Sequence, residues 1–345
     1  MTDTATNLPA LNALGIGWGT RSAAGTLLDV WFPAPVLLSA DQAAAAIPRL
    51  EALGAGPAGV SVAAAAVAAL LDILPADASA EVAALCEQEQ PLELVWLPTD
   101  EPIAGTAAAY LKLHLLSHCL RQPNTLNLEA IFAHLPNVAW TNEGPVALDE
   151  LTARQRAARV AGRVLDVQAI DKFPKLTNYV APPGVRIADS ARVRLGAYLG
   201  TGSTVMHEGF VNFNAGAIGP NMIEGRISQG VVIGADTDLG GGSSTMGTLS
   251  GGGAIRITIG EQCLIGANAG TGIPLGDRCT VEAGLYLTAA TPVTLVGDGE
   301  ERTVKARELA GLSDLLFLRN GRNGRVECRA NGRAITLNEA LHAHN

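Results

Sequence analysis

From residue 185 onward apolar side chains return every six positions, a period that fits neither an amphipathic helix nor an ordinary alternating strand. Ile187, Val193, Leu199, Val205 and Val211 form one unbroken series. Ile227, Ile233, Leu239 and Thr245 form a second, Leu275, Val281, Leu287 and Val293 a third, and Ile259 and Ile265 a shorter run. Glycine often follows the apolar position, at Gly234, Gly240, Gly260, Gly266 and Gly276. This period predicts a hexapeptide parallel β-helix. Each hexad supplies a flat face and a turn, the apolar side chain points into a narrow core, and Gly, Asn or Asp takes the positive-φ position. Coils then stack at the ladder spacing of ~4.8 Å, and stability comes mainly from neighbouring coils.

The phase breaks near 217–226, 246–254 and 266–274, in the segments NMIEGR, GTLSGGG and ANAGTGIP. Insertions into a solenoid emerge as loops from one face, and loops on a rigid scaffold tend to carry function. The breaks are therefore expected to be protruding, functional excursions.

The rest of the chain is organised differently. Residues 1–105 are rich in Ala and Leu, with helical spacing at 41–53 and 58–74 and strand candidates at 27–32 and 92–97. They read as an α/β domain. A helical connector follows over 106–180, with helices expected at 106–120 and 148–165. The β-helix is expected over 181–295. Beyond it, 296–345 reads as a small β extension with Asn-Gly turns that caps the open ladder edges. The fold class is thus mixed: α/β domain, β-helix, β cap.

Composition narrows the function. Aromatics are 4% of a chain that is 48% apolar, so the core must be built from Ala, Val, Leu and Ile. A net charge of −9 excludes the basic face of a nucleic-acid binder, though a local Arg/Lys pocket for a small anion remains compatible. The longest apolar stretch, near 62–71, is short of the ~20 residues of a membrane span. The first residues carry no Lys or Arg before Arg21 and do not read as a signal peptide. Five cysteines without a CxxC read as reduced, structural thiols of a cytoplasmic protein.

Several short motifs carry little. GIGWGT at 15–20 lacks the acidic partner of a dinucleotide loop and reads as a turn. His114 and His118 are four apart without the Glu of a zinc-protease helix, and read as packed. His342 and His344 read as solvated. GGGSS at 240–244 lacks the Lys of a phosphate loop, yet its glycines allow close approach by a ligand. His207 is the only histidine between 185 and 295, too few for a three-histidine zinc site. The stronger constellation is MHEGFVNFNAG with NMIEGR, which brings His207, Glu208, Asn212, Asn214, Glu224 and Arg226 within a few coils. Charged side chains are costly inside a slender apolar core, so these belong on its outer wall or at a subunit interface. A plain Glu224–Arg226 ion pair is the bland alternative.

The run DKFPKLTNYVAPPGVRIADSARVRLGAYLGTGSTVMHEGFVNFNAG, with MIEGRIS, DLGGGSSTMGTLSGGG, LIGANAGTGIPLGD and VEAGLY, resembles the tetrahydrodipicolinate N-succinyltransferase family, in its longer branch. The likeness is dense over 170–345 and looser through AYLKLHLLSH and LPNVAWTN. It implies a left-handed β-helix, an exception to the usual right-handed crossover, and a homotrimer with active sites between subunits. It implies transfer of succinyl from succinyl-CoA to the amine of L-2-amino-6-oxopimelate, a step toward diaminopimelate and lysine. Carried over by position, Glu224 is the catalytic carboxylate, either nucleophile through an acyl anhydride or general base. Arg226 faces a substrate carboxylate. Gly241, Ser244, Ala267, Glu282, Ala283, Ala290 and Lys305 match ligand-lining positions, and Arg319 a CoA-phosphate contact. Glu208 matches a position on the trimer axis that binds Mg2+ in some relatives, although this chain has Ala191 where they can carry a second acid. Two rivals remain: a hexapeptide acyltransferase using acetyl-CoA or an acyl-carrier protein, and a non-catalytic β-helix that binds a surface.

Overall fold

The computed structural model describes residues 8–249, 255–297 and 301–331. The tip of GTLSGGG, the last strand expected in the tail, and His342 and His344 lie outside the described residues. The chain divides into two compact units, one holding residues 1–121, 125–174 and 178–180, the other 122–124, 175–177 and 181–345.

In the first unit an antiparallel sheet runs in the order Leu27–Trp31, Ala10–Arg21, Leu92–Thr99, Val60–Val62, with Val36–Leu37 also paired to Ala10–Arg21. One sheet face, through Leu14, Ile16, Leu92 and Leu94, packs on Ala46 and Leu50 of the helix Ala40–Ala52 and on Val82 and Leu85 of the helix Ala76–Cys86. GIGWGT is not a turn. It lies inside the long strand, and its glycines flatten the other sheet face. A Cβ on Gly17 would sit 1.9 Å from the Trp31 carbonyl oxygen, and one on Gly15 would sit 2.8 Å from Leu111 of the helix Thr106–Ser117. The segment expected to be helical at 58–74 is shorter as a helix. It opens with the strand Val60–Val62 and continues as Ala64–Val67 and a 3-10 turn at Ala68–Ile73. The Arg-rich helix runs over Leu148–Val160, beside a three-stranded antiparallel sheet of Gly144–Ala147, Val138–Thr141 and Val167–Asp171.

The helix Thr106–Ser117 is apolar on all sides and buried along nearly its whole length. Two of its polar residues are fully satisfied. Lys112, 1% exposed, directs its ammonium to Asp100 Oδ1 at 2.7 Å, the Glu101 carbonyl at 2.6 Å and the Asn127 carbonyl at 2.7 Å. His114 donates from Nδ1 to the Tyr110 carbonyl and accepts the Phe32 N–H at Nε2. Only the neutral ring can do both, because the imidazolium has no acceptor.

The second unit is a three-faced solenoid of parallel ladders, wound left-handed. The first face stacks Ala197–Leu199, Ala215–Ala217, Val232–Ile233 and Thr258–Ile259. The second stacks Arg186–Ile187, Ser203–Val205, Asn221–Ile223, Thr237–Leu239, Leu264–Ile265 and Thr280–Val281. The third stacks Phe210–Val211, Arg226–Ile227, Ser244–Thr245, Gly270–Thr271 and Tyr286–Leu287. The apolar series point inward as expected: Val193, Leu199, Val205, Val211, Ile227, Ile233, Leu239, Ile265, Val281 and Leu287 are all buried. The hairpin Leu315–Arg319 with Val326–Ala330 continues the second face, pairing in parallel with Thr280–Val281 and covering that ladder's end.

Two of the three phase breaks are not insertions. Along the second face the partners Val205, Ile223, Leu239, Ile265 and Val281 follow at 18, 16, 26 and 16 residues. Each 16-residue coil is tightened at a different corner, one between the second and third faces, from Ile223 to Ile227, the other between the third and first faces, from Thr271 to Leu275. Only the break after Thr245 adds chain, an excursion whose limbs meet at Thr248 and Arg256.

All five cysteines are free thiols. Cys263, Cys279 and Cys328 are buried, Cys86 is half-buried, and Cys119 is exposed and so lies outside the expected core role. No helix of the described residues is long and apolar enough to cross a membrane.

Burial pushes His114 down from its ordinary value near 6.5 to about 3, with His118 alongside adding to the effect. The unfolded chain takes up this proton below pH 6.5 while the native chain refuses it. Native stability is therefore expected to fall by about 2 kcal/mol from this group between pH 7.5 and pH 5. Urea unfolding of the wild type against His114→Asn, measured at both pH values, should show that the variant has lost this part of the pH dependence.

Candidate active site

The tightened corner at Ile223–Ile227 places the carboxylate singled out in the sequence. Deleting two residues from a coil pulls the chain inward, and Gly225 makes this possible. A Cβ there would lie 2.0 Å from Ser243 Oγ in the next coil. Glu224, immediately before it, is anchored by its backbone. Its N–H donates to the Leu239 carbonyl at 2.8 Å, and its carbonyl accepts the Gly242 N–H at 3.2 Å. The half-buried side chain reaches up the wall, with Oε2 3.5 Å from the point a Cβ on Gly241 would occupy. Gly242, at φ +70, turns the neighbouring corner.

The corner between the second and third faces repeats in each coil. It carries Glu224, then Gly241, then Ala267, then Glu282 and Ala283. The bonds on either side of each corner go to the ladders: Gly240 N–H to Ile265, Gly266 to Val281 and Glu282 to Phe317, then Gly242 to Glu224, Asn268 to Gly241 and Gly284 to Ala267. The N–H groups of Gly225, Gly241, Ala267 and Ala283 have no acceptor among the described residues. Four donors thus line one edge of the prism, a coil apart, beside the Glu224 carboxylate. Such an edge suits an extended ligand with carbonyl oxygens, or an oxygen on which negative charge develops.

Arg226 and Ser244 project from the third face in one register column with Phe210, Gly270 and Tyr286. Arg226 is exposed and forms no ion pair with Glu224 or with any other described residue, so the simple Glu–Arg pairing is not what these residues do. Tyr286 lays its ring over Gly270, where a Cβ would be 2.3 Å from Cε2. Phe210, Gly225, Ser243 and Tyr286 are absent from the sequence-based candidates. For Phe210 and Tyr286 the signal was available, since the residue before each inward position must face outward on a strand, whereas Gly225 and Ser243 lie in corners that this alternation does not reach.

The other candidates fall around this edge. Glu282 Oε2 accepts the Arg319 N–H at 2.6 Å and so ties the C-terminal hairpin to the corner. The Arg319 guanidinium is exposed and donates to the Gly324 carbonyl. Lys305 is exposed and pairs through its strand with Pro292, two residues from Ala290. Glu208 is set apart at another turn, its side chain 80% exposed and 3.8 Å from Arg192 Nη2. No cluster of three or more His, Cys, Asp or Glu suited to a metal occurs among the described residues.

Comparison with known proteins bears on this geometry. Residues 256–289 match a family profile described as the hexapeptide repeat of succinyl-transferase, and residues 135–175 match one described as tetrahydrodipicolinate N-succinyltransferase middle. The chain is 54% identical over 341 residues to a 2,3,4,5-tetrahydropyridine-2,6-dicarboxylate N-succinyltransferase of Pseudomonas aeruginosa, covering 97% of this chain and 99% of the relative. It is 52% identical over 339 residues to the protein of that name from Vibrio cholerae, covering 96% and 99%. A crystal structure of a putative 2,3,4,5-tetrahydropyridine-2-carboxylate N-succinyltransferase from Campylobacter jejuni superposes with a TM-score of 0.84 at 28% identity, covering 96% and 95%.

Gly225→Ala is expected to open the corner or displace Ser243, at a cost of about 1–3 kcal/mol as for overpacking elsewhere. Chemical denaturation of the variant measures this, and a stability equal to wild type would show that the corner is looser than described.

Proposed function

The chain belongs to the 2,3,4,5-tetrahydropyridine-2,6-dicarboxylate N-succinyltransferase family, and on that premise we propose how its own residues carry out the transfer. It is an acyltransferase of the diaminopimelate and lysine pathway. It moves succinyl from succinyl-CoA to the amine of L-2-amino-6-oxopimelate, the opened form of the cyclic dicarboxylate. The nitrogen attacks the thioester carbonyl, the C–S bond breaks, and CoA leaves as a thiolate that is protonated to the thiol. The observation that supports this reading best is the juxtaposition at the corner: one carboxylate without a partner among the described residues, beside a line of N–H groups that those residues also leave unbonded.

Glu224 is placed to take the proton the attacking amine must lose. The same carboxylate could instead attack first and form an acyl anhydride. The N–H groups of Gly225, Gly241, Ala267 and Ala283 offer donors to the thioester oxygen as it becomes negative and to the amide carbonyls of the CoA arm. Arg226, uncommitted on the adjoining face, suits a carboxylate of the acceptor through its planar fork of donors. Ser244 stands beside it in the ladder. Glu282 and Ala283 are proposed to line the acyl-donor path, with Ala290 and Lys305 further along it. Exposed Arg319 is proposed to meet a CoA phosphate.

The working unit is proposed to be a cytoplasmic homotrimer with each site completed by a neighbouring subunit. Mg2+ is proposed only at Glu208. Three symmetric copies would supply the carboxylates such a hard cation needs. A single chain offers it one carboxylate, already faced by Arg192, so the residues of one chain do not fit the ion and no step passes through it.

Four measurements test the proposal. Purified protein given succinyl-CoA and the cyclic dicarboxylate should release CoA, and acetyl-CoA should serve poorly. Glu224→Ala should lower kcat by roughly 100- to 10,000-fold, the range for a positioned acid–base group. Arg226→Ala should raise KM for the acceptor about tenfold or more, as for loss of a charged hydrogen bond, and leave KM for succinyl-CoA little changed. Unaltered turnover in the Glu224 variant would overturn the assignment. Sedimentation should give three chains per particle.

A further inference from the structure

The first unit holds a ligand-sized cavity of its own, unused by the chemistry above. It has a volume of about 590 Å³ and is lined by Trp18, Gly19, Arg21, Ser61, Gln88, Gln90, Pro91 and Glu93. Small-molecule sites commonly fall in the range of roughly 300–1,000 Å³.

Its floor is unusual for a strand. Glu93 stands in Leu92–Thr99 with Gly17 and Ser61 as its cross-strand neighbours, and is only 4% exposed. A carboxylate so buried is costly unless it is paired. Arg21 supplies the pair, with Nη2 2.5 Å from Oε1. The other oxygen, Oε2, accepts no hydrogen bond from a described residue. Arg21 is also incompletely used. Its side chain is 42% exposed, and beyond Glu93 it donates only to the Gly25 carbonyl, leaving three of its five N–H groups. Gly19 makes the arrangement possible, because a Cβ there would come within 2.8 Å of Glu93 Cγ.

The cavity thus presents one negative and one positive group side by side, each with unused capacity, together with the Ser61 hydroxyl and the amides of Gln88 and Gln90. A free anion would meet Glu93 and a free cation would meet Arg21, so neither suits the set. A molecule with an ammonium and a carboxylate on one carbon matches both groups at once. We propose that this cavity binds a zwitterionic α-amino acid with a neutral polar side chain, its ammonium on Glu93 Oε2, its carboxylate on Arg21 and its side chain among Ser61, Gln88 and Gln90.

The probe is L-glutamine, titrated calorimetrically into the full chain. Two analogues each lack one charge: glutaramate has no ammonium and 4-aminobutanamide no carboxylate. L-Glutamine is expected to bind once per chain, and both analogues at least tenfold more weakly. Arg21→Gln, at a half-exposed position outside the acyl-transfer site, should weaken binding at least tenfold and leave succinyl transfer unchanged. Glu93→Gln should abolish binding, with near-ultraviolet circular dichroism reporting whether that variant keeps its fold. Absence of L-glutamine binding at about 10 mM, equal affinity for either single-charge analogue, or unchanged affinity in Arg21→Gln would each overturn the proposal. The first two readouts use unsubstituted protein and need no CoA ester, so they stand apart from the assignment of the corner.

Discussion

Every coil of the solenoid must deliver an inward apolar side chain directly above the one below, at a ladder spacing of ~4.8 Å. The rest of the second unit depends on that requirement. Coils of 18, 16 and 26 residues coexist because the faces are kept in register and all variation is pushed into the corners. A coil can lose two residues only where a corner can contract. At Ile223–Ile227 it contracts because Gly225 carries no side chain and Ser243 fills the space.

The candidate site follows from this constraint. The corner N–H groups of Gly225, Gly241, Ala267 and Ala283 stay off the ladders in the contracted coil and in the six-residue corners above it alike, so donors accumulate along one edge. Glu224 is held by two backbone bonds rather than by side-chain partners, which leaves its carboxylate unengaged at the point where those donors begin. The hairpin that closes the second face is tied to the same edge through Glu282 and the Arg319 backbone. Stability and reactivity are thus separated. Inward residues hold the stack together, while the corner residues are free to contact ligand.

The first unit solves a different packing problem. A helix with no polar face must be enclosed, and the glycines of GIGWGT give it a flat strand to lie against. Two polar side chains at its centre are met in kind, Lys112 by three oxygens and His114 by one acceptor and one donor. At the end of the sheet, where Gly19 leaves room for the Glu93 side chain, charge is buried with capacity to spare.

Much was legible in the residues alone. The six-residue period could only wind a three-faced stack, and the inward positions follow from it one by one. Outward neighbours such as Phe210 and Tyr286 could have been read by the same alternation. The family likeness singled out Glu224 and Arg226 before any geometry. What the sequence could not carry was the sense of the irregularities. A phase break looks the same on the page whether chain is added or removed, and only the register between coils distinguished a contracted corner from a loop. GIGWGT likewise reads locally as a turn, because glycine is the residue of turns. Its true role as a flat strand depends on Trp31, Leu111 and Glu93, which approach it from distant parts of the chain. Periodicity is a local property and was decided by the sequence. Which group faces which across a corner or a sheet is not local, and was decided only when the chain was folded.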